Sequence, residues 1–153
     1  MPPDSPDTMH ARRAEDALLP LSEAAAEALA RSWAVSELHG HAERVLAFVE
    51  RHRAGILRLA GASPTEHVLL DAAKQLIVEA GSVHAASEMR DQIQAIRDEI
   101  WIQGERGDYD RANIASDWTS RHAANWRQWR VREYLYVVDR CAADILRCLG
   151  AQQ

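Results

Sequence analysis

The side chains of this chain best suited to chemistry are histidines, and four of them are candidates for one site: His39, His41, His84 and His122. Imidazole rings close to carboxylates, here those of Glu43 and Glu88, are typical of a metal or haem site inside a helical bundle. None of the seven histidines follows a glutamate by three residues, so the Glu-x-x-His motif of di-iron carboxylate bundles is absent. The alternative is that these histidines are polar residues at a helix bend, some of them exposed.

Two tryptophans complete this hypothetical ligand-binding layer. Folding the chain back at its two strongest turns places His84 level with Gln128, which lies between Trp126 and Trp129. The same register brings Gly40 level with His84 and Gly81 level with Glu43, so the two glycines lie within a turn of each other. We therefore expect the two indole rings to fill the space beside the two glycines. Metal, haem or a small molecule is the predicted ligand of such a layer.

Residues 118–132 combine basic and aromatic side chains without an acidic one. The basic residues are Arg121, His122, Arg127, Arg130 and Arg132, and Trp118, Trp126 and Trp129 alternate with them. Aromatic rings beside guanidinium groups can hold single-stranded nucleic acid. The net charge of −5 and the shortness of the stretch weigh against that use. The alternative is a solvated helix face with local pairing, in which Arg130 stacks on Trp126 four residues earlier.

The motifs of common catalytic chemistry are missing. We find no phosphate-binding glycine loop, Gly-x-Ser-x-Gly elbow, His-Glu-x-x-His or EF-hand loop. Cys141 and Cys148 lie seven residues apart on one predicted helix, too far for a disulfide within it. A non-enzymatic protein with reduced cysteines is the expectation.

The elements that position these residues are predicted to be helices. Apolar residues recur at alternating steps of four and three, and no alternating strand pattern competes with them. The second of these series reads Leu69, Ala73, Leu76, Ala80, Val83, Ala86, Met89, Ile93, Ile96 and Ile100. Three segments of nearly equal length, residues 22–60, 64–103 and 109–149, predict an all-α antiparallel bundle of three long helices.

Turn and capping signals divide the chain. Gly61 ends the first segment, and Ser63-Pro64-Thr65-Glu66 reads as a helix start with Ser63 as its cap. A break at Gly40 or Gly81, the latter with Ser82 as the next cap, gives four or five helices instead. Residues 1–12 are expected to be a flexible arm and residues 13–153 a single helical-bundle domain.

The apolar surface predicted for the third segment exceeds what a three-helix core needs. Surplus apolar surface usually marks contact with a partner, so we expect an interaction or regulatory module that forms a homodimer or binds another protein. The predicted interaction surface consists of Trp118, Arg127, Arg130, Tyr134 and Tyr136. No apolar run is long enough to span a membrane and the N-terminus is polar, so a cytoplasmic location is expected.

Overall fold

A computed structural model describes residues 22–150 of the chain. This part is all-α, with 82% of its residues in seven helices and no strand. The helices are α1 (Glu23–Ala34), α2 (His39–Arg51), α3 (Arg53–Ala60), α4 (Glu66–Ala80), α5 (Ala85–Glu105), α6 (Arg111–Arg140) and α7 (Ala142–Cys148). The predicted arm, residues 1–12, lies outside the described residues. The all-α class is confirmed.

The number of helices differs from the prediction of three to five. The first segment is interrupted at residues 35–38 and again at His52, and the third is interrupted at Cys141. Gly81 does end a helix, because its φ of 71° is the left-handed conformation that glycine adopts at little cost. Gly40, in contrast, lies inside the first turn of α2, and the break falls just before it, where Ser36 has a φ of 66°.

Two of the predicted helix caps are wrong. The cap of α4 is Thr65, whose hydroxyl accepts a hydrogen bond from the Val68 amide at 3.2 Å. Ser63 has a φ of 48°, whereas a cap needs extended backbone. The cap of α5 is His84 rather than Ser82, since His84 Nδ1 accepts from the Ser87 amide at 3.1 Å.

The described residues form two compact units, and the first, which we call the core unit, comprises residues 22–83 and 131–150. In it α3 packs on α4, and α7 packs on α2 and α4. The fully buried large side chains all belong to this unit and are Leu29, Leu38, Val45, Val49, Ile56, Ile77, Tyr134, Val137, Val138 and Ile145. All of these residues except Ile77 belong to the first and third predicted segments.

The second unit, the hairpin unit, comprises residues 84–130 and contains α5 and the first part of α6. Of the buried apolar side chains, it holds only Ile114 and Trp118. The turn ends at Asp110, whose carboxylate accepts from the Asn113 amide at 3.2 Å. A two-helix hairpin with so few buried apolar side chains has little core of its own.

The register of this hairpin is shifted from the prediction. The predicted pairing of His84 with Gln128 places Asp91 level with Arg121, but the Asp91 carboxylate meets Arg130 instead, at 2.8 Å. One reason is that α5 continues to Glu105 and α6 begins only at Arg111, so the turn lies later than expected. The other is that helical side chains lean toward the N-terminus, which brings the Arg130 guanidinium back over Trp126.

Both glycines lie in the core unit and have open space beside them. A Cβ built at Gly40 or at Gly81 meets no heavy atom of another side chain within 4 Å among the residues described. Trp126 and Trp129 belong to the hairpin unit, so their placement beside the two glycines stays a prediction. The predicted layer depended on continuous helices, and the breaks before Gly40 and at Gly81 remove that continuity.

The same two positions supply a test of the backbone geometry. Gly40 lacks a positive φ and lies in a helix, so Gly40→Ala is expected to stabilise the protein by about 0.5 kcal/mol. Gly81 has a left-handed backbone, so Gly81→Ala is expected to destabilise it by about 1 kcal/mol although space is open. Urea unfolding of both variants measures the difference, and shifts of the same sign would contradict it.

Candidate functional site

One face of α5 carries an apolar stripe, which we define as Met89, Ile93, Ile96 and Ile100. Their spacing of four, three and four places them on one side of the helix. Met89 is 58% exposed and Ile93 41% exposed, while Ile96 and Ile100 are half-buried. The buried residues of this helix are Ser87 and Glu88, and neither is apolar. The stripe thus has the pattern of a packed helix face, but its first two side chains are exposed and its last two are only partly covered.

Two exposed aromatic side chains lie at the turn end of the same unit. Trp101 of α5 is 68% exposed and Tyr109, between α5 and α6, is 80% exposed. The Tyr109 ring lies against Gly104, where a Cβ would be 3.8 Å from it. Tryptophan and tyrosine are enriched at protein interfaces. Apolar exposure is therefore spread along α5 and onto the turn.

The contacts between α5 and α6 are largely polar. Arg130 is buried, and its guanidinium binds the Asp91 carboxylate at 2.8 Å and lies 4.6 Å from the centre of the Trp126 ring. This confirms the predicted stacking of Arg130 on Trp126. Farther along, the two helices and their turn enclose a polar crevice of ≈180 Å³. It is lined by Glu99, Gln103, Asp108, Asn113, Ile114, Asp117, Trp118, Arg121 and His122.

The predicted ligand histidines of the core unit have separate surroundings. His41 is buried, with its Nε2 atom 3.8 Å from the Glu133 carboxylate and its ring edge-on to Tyr134 at 5.2 Å. Its Nδ1 atom is buried without a hydrogen-bond partner among the described residues. His39 is exposed, and its ring packs against Trp33 with the centroids 4.3 Å apart.

The ligand candidates of the hairpin unit also have local roles. His84 caps α5, and His122 is exposed beside Trp118, with the ring centroids 6.0 Å apart. Trp126 and Trp129 are half-buried. Within residues 22–150, no group of three or more histidine, cysteine, aspartate or glutamate side chains is placed to hold a metal ion.

The predicted interaction surface is only partly at the surface. Tyr134 is fully buried and Trp118 is 8% exposed, so the structure contradicts the placement of these two side chains on a docking face. Arg130 is buried as well. Arg127 is exposed and Tyr136 half-buried. The reason is that the third segment contributes buried side chains to both units, so most of its apolar side chains are not at the surface.

Residues 118–132 present fewer side chains to nucleic acid than the sequence predicts. Arg130 is engaged by Asp91, and Arg121 pairs with Asp117 at 3.1 Å on its own helix. Of the tryptophans, Trp118 is buried. Two of the four arginines therefore already have carboxylate partners, as the alternative of local pairing predicts.

Four side chains lie together in the core unit: Trp33, His39, Tyr136 and Arg140. Trp33 and Arg140 were not predicted as site residues from the sequence. Trp33 of α1 packs against His39 of α2 and lies edge-on to Tyr136 of α6 at 6.4 Å. Arg140, one turn after Tyr136, lies 6.0 Å from the Trp33 ring centre. The spacing of Tyr136 and Arg140 is the same i, i+4 signal that indicated the Trp126–Arg130 pair, and it was available in the sequence.

Neither cysteine is suited to nucleophilic chemistry. Cys141 lies between α6 and α7, Cys148 ends α7, and both are free thiols. Burial raises the pKa of each thiol, and the charges of Asp144 and Glu50 raise the pKa of Cys141 and Cys148 further, against a smaller lowering by Arg53 at Cys148. The thiolate is the reactive form, so a raised pKa makes both side chains less reactive at neutral pH.

No helix in the described range 22–150 combines the length and apolar character needed to cross a membrane. Comparisons of the chain with models of protein families, with curated proteins and with solved structures give no match. The function is therefore inferred from the chemistry and geometry of the chain's own residues.

Proposed function

We propose that this protein is a non-enzymatic interaction module that self-associates through the apolar stripe of α5. The observation that carries the proposal is that a helix of 21 residues buries none of its apolar side chains. Burial of apolar surface stabilises by about 25 cal/mol per Å², so an uncovered stripe favours association. A regulatory role exerted through such contacts is the function we assign to it.

The partner we propose is a second copy of the chain. Two antiparallel helices are half of a four-helix bundle, and two hairpin units related by a twofold axis would bury the same stripe on both sides. The predicted antiparallel bundle would then be completed between chains. The alternating spacing of the stripe supports this, because it is the pattern by which helices pack on helices.

The charges around the stripe are compatible with burial. The four stripe positions carry no charge, and Arg90 and Arg97 lie at one border, where long side chains can extend to solvent. Asp91, farther from the stripe, is already paired with Arg130. Association through the stripe therefore leaves the Asp91–Arg130 pair in place.

The experiment compares Ile93→Glu with Ile102→Glu by light scattering and sedimentation. Ile93 and Ile102 are 41% and 40% exposed, and nine residues of helix place them on opposite sides of α5. We expect a wild-type dimer at tens of micromolar. Ile93→Glu is expected to weaken it by about 30-fold or more, because a charge in the centre of an interface costs about 2 kcal/mol or more.

Ile102→Glu is the matched control, with the same substitution and the same exposure on the same helix. It is expected to leave the dimer intact. A wild-type chain that stays monomeric at tens of micromolar, or equal weakening by both substitutions, would contradict self-association through the stripe.

A further inference from the structure

A second surface lies in the core unit, and we define it as the Trp33 cluster: Trp33, His39, Tyr136 and Arg140. Three helices contribute to it, α1, α2 and α6. Trp33 and Tyr136 are half-buried, whereas His39 and Arg140 are exposed. The cluster is therefore anchored by Trp33 and Tyr136 and open to solvent at His39 and Arg140.

Arg140 is held in place by neutral groups. Its Nε and Nη2 atoms donate to the Tyr136 hydroxyl at 3.0 and 2.7 Å, and its guanidinium lies 5.2 Å from the Tyr136 ring centre. Trp33 borders the guanidinium at 6.0 Å. A hydroxyl and two rings thus contact the guanidinium, and none of these groups carries a negative charge.

The acidic side chains nearest to Arg140 in sequence have other partners. Asp139 pairs with Lys74 at 2.6 Å, and Asp144 pairs with Arg147 at 3.1 Å. Within residues 22–150, Arg140 makes no ion pair with a carboxylate, and its only hydrogen bonds are those to Tyr136. Its place in the last turn of α6 complements the helix dipole, but that role does not require the hydroxyl or the rings.

We propose that the Trp33 cluster binds a carboxylate side chain of an acidic segment in a partner protein. The planar guanidinium retains N–H donors for a carboxylate and is the group best matched to it in geometry. Because Arg140 is already ordered, less rotamer entropy is lost on binding. Arginine, tryptophan and tyrosine are also the side chains that dominate the energetics of protein interfaces.

The chemistry favours one carboxylate beside an apolar group over a polyanion. Arg140 is the one fixed cation of the cluster, and the chain's net charge of −5 opposes a strand of phosphates. The edges of Trp33 and His39 offer an aromatic surface next to the guanidinium. An aspartate or glutamate adjacent to an aromatic residue meets both features.

The test is an NMR titration with a blocked hexapeptide that contains a single glutamate beside a phenylalanine. The control peptide carries glutamine in place of the glutamate. We expect the glutamate peptide to bind at least tenfold more tightly and to shift the Trp33 indole N–H and Arg140 Nε–H signals. Equal affinity for the two peptides, or no saturable binding of either, would overturn the proposal.

Three single-residue variants test which side chains produce the preference for the glutamate peptide. Arg140→Gln is expected to remove the preference for glutamate, and Tyr136→Phe, which keeps the charge but removes the hydroxyl that orients it, to reduce the preference severalfold. Arg147→Gln is the matched control, because Arg147 is also exposed and on the next helix. An undiminished preference in Arg140→Gln, or an equal loss in Arg147→Gln, would assign the binding elsewhere and overturn the proposal.

The result does not depend on self-association. The titration is repeated in the Ile93→Glu background, and the same tenfold preference is expected there. A loss of the preference in that background would show that the dimer creates the site and would overturn its placement in the core unit of a single chain. Dimerisation can fail in the scattering experiment while the peptide preference persists, so the two proposals are tested separately.

Discussion

Replacement of Tyr134 by alanine is expected to lower the free energy of unfolding by about 3–5 kcal/mol and the melting temperature by about 10 °C. Tyr134 is fully buried among the core residues of α6, and its ring contacts the ring of His41. Truncation removes the buried ring and leaves a cavity that the surrounding helices fill only in part. The measurement is chemical and thermal unfolding at two protein concentrations, because association contributes to apparent stability.

Tyr109→Ala is the control for this substitution. Tyr109 is 80% exposed, so its removal is expected to change the free energy of unfolding by less than about 0.5 kcal/mol. The comparison also decides between two roles for Tyr134. A side chain on an interaction surface would change association and leave unfolding unaltered, and that outcome would contradict the burial described above.

The apolar pattern of the sequence predicted the helices better than it predicted what covers them. The second series runs without interruption from Leu69 to Ile100, and sequence spacing alone gives each member the same expected burial. In the structure Leu69, Ala73 and Val83 are buried, whereas Met89 and Ile93, later in the series, are exposed. Periodicity records which face of a helix is apolar, but not whether the chain itself supplies the surface opposite to it.

The local breaks were harder to predict for a different reason. Ser36 and Ser63 adopt positive φ values, which serine seldom does, so their residue types do not signal these conformations, although Gly61 and Pro64 did signal a turn around Ser63. Gly81 was a correct break signal and Gly40 was not, although the two residues look alike in sequence. The hypothetical layer of histidines and indoles was derived from unbroken helices, so the breaks before Gly40 and at Gly81 remove the basis of that derivation.

The parts of the candidate sites that were predictable are those built within one helix. Arg130 stacks on Trp126, and Arg140 contacts Tyr136, both at a spacing of four residues. The contacts that join helices, such as Trp33 with His39 across the turn at residues 35–38, require the turn geometry and were missed. Trp118 and Tyr134 were assigned to a docking surface of the third segment but are buried, because its apolar residues were counted as surplus before the two units that bury them were known.

Amides of α5 are expected to exchange with solvent about 100-fold faster than those of α4 in dilute solution. The free energy needed to open a helix rises with the apolar surface that opening exposes to water. Helix α4 buries Leu69, Ala72, Ala73 and Ile77, whereas α5 buries only Ser87 and Glu88. A difference of about 2.7 kcal/mol in opening free energy corresponds to this factor. Hydrogen exchange followed by mass spectrometry measures both helices in one experiment.

Repeating the hydrogen-exchange measurement at higher protein concentration tests association through the stripe. At a protein concentration about 100 times the dissociation constant, binding adds about 2.7 kcal/mol of protection to the elements it covers, which is enough to bring α5 to the level of α4. In the Ile93→Glu variant, the amides of α5 are expected to exchange rapidly at every protein concentration. In the Ile102→Glu variant, they are expected to become protected with concentration as in the wild type. Strong protection of α5 in dilute wild-type protein, unchanged on concentration, would mean that the exposed stripe is stable without a partner and that the second copy is not what covers it.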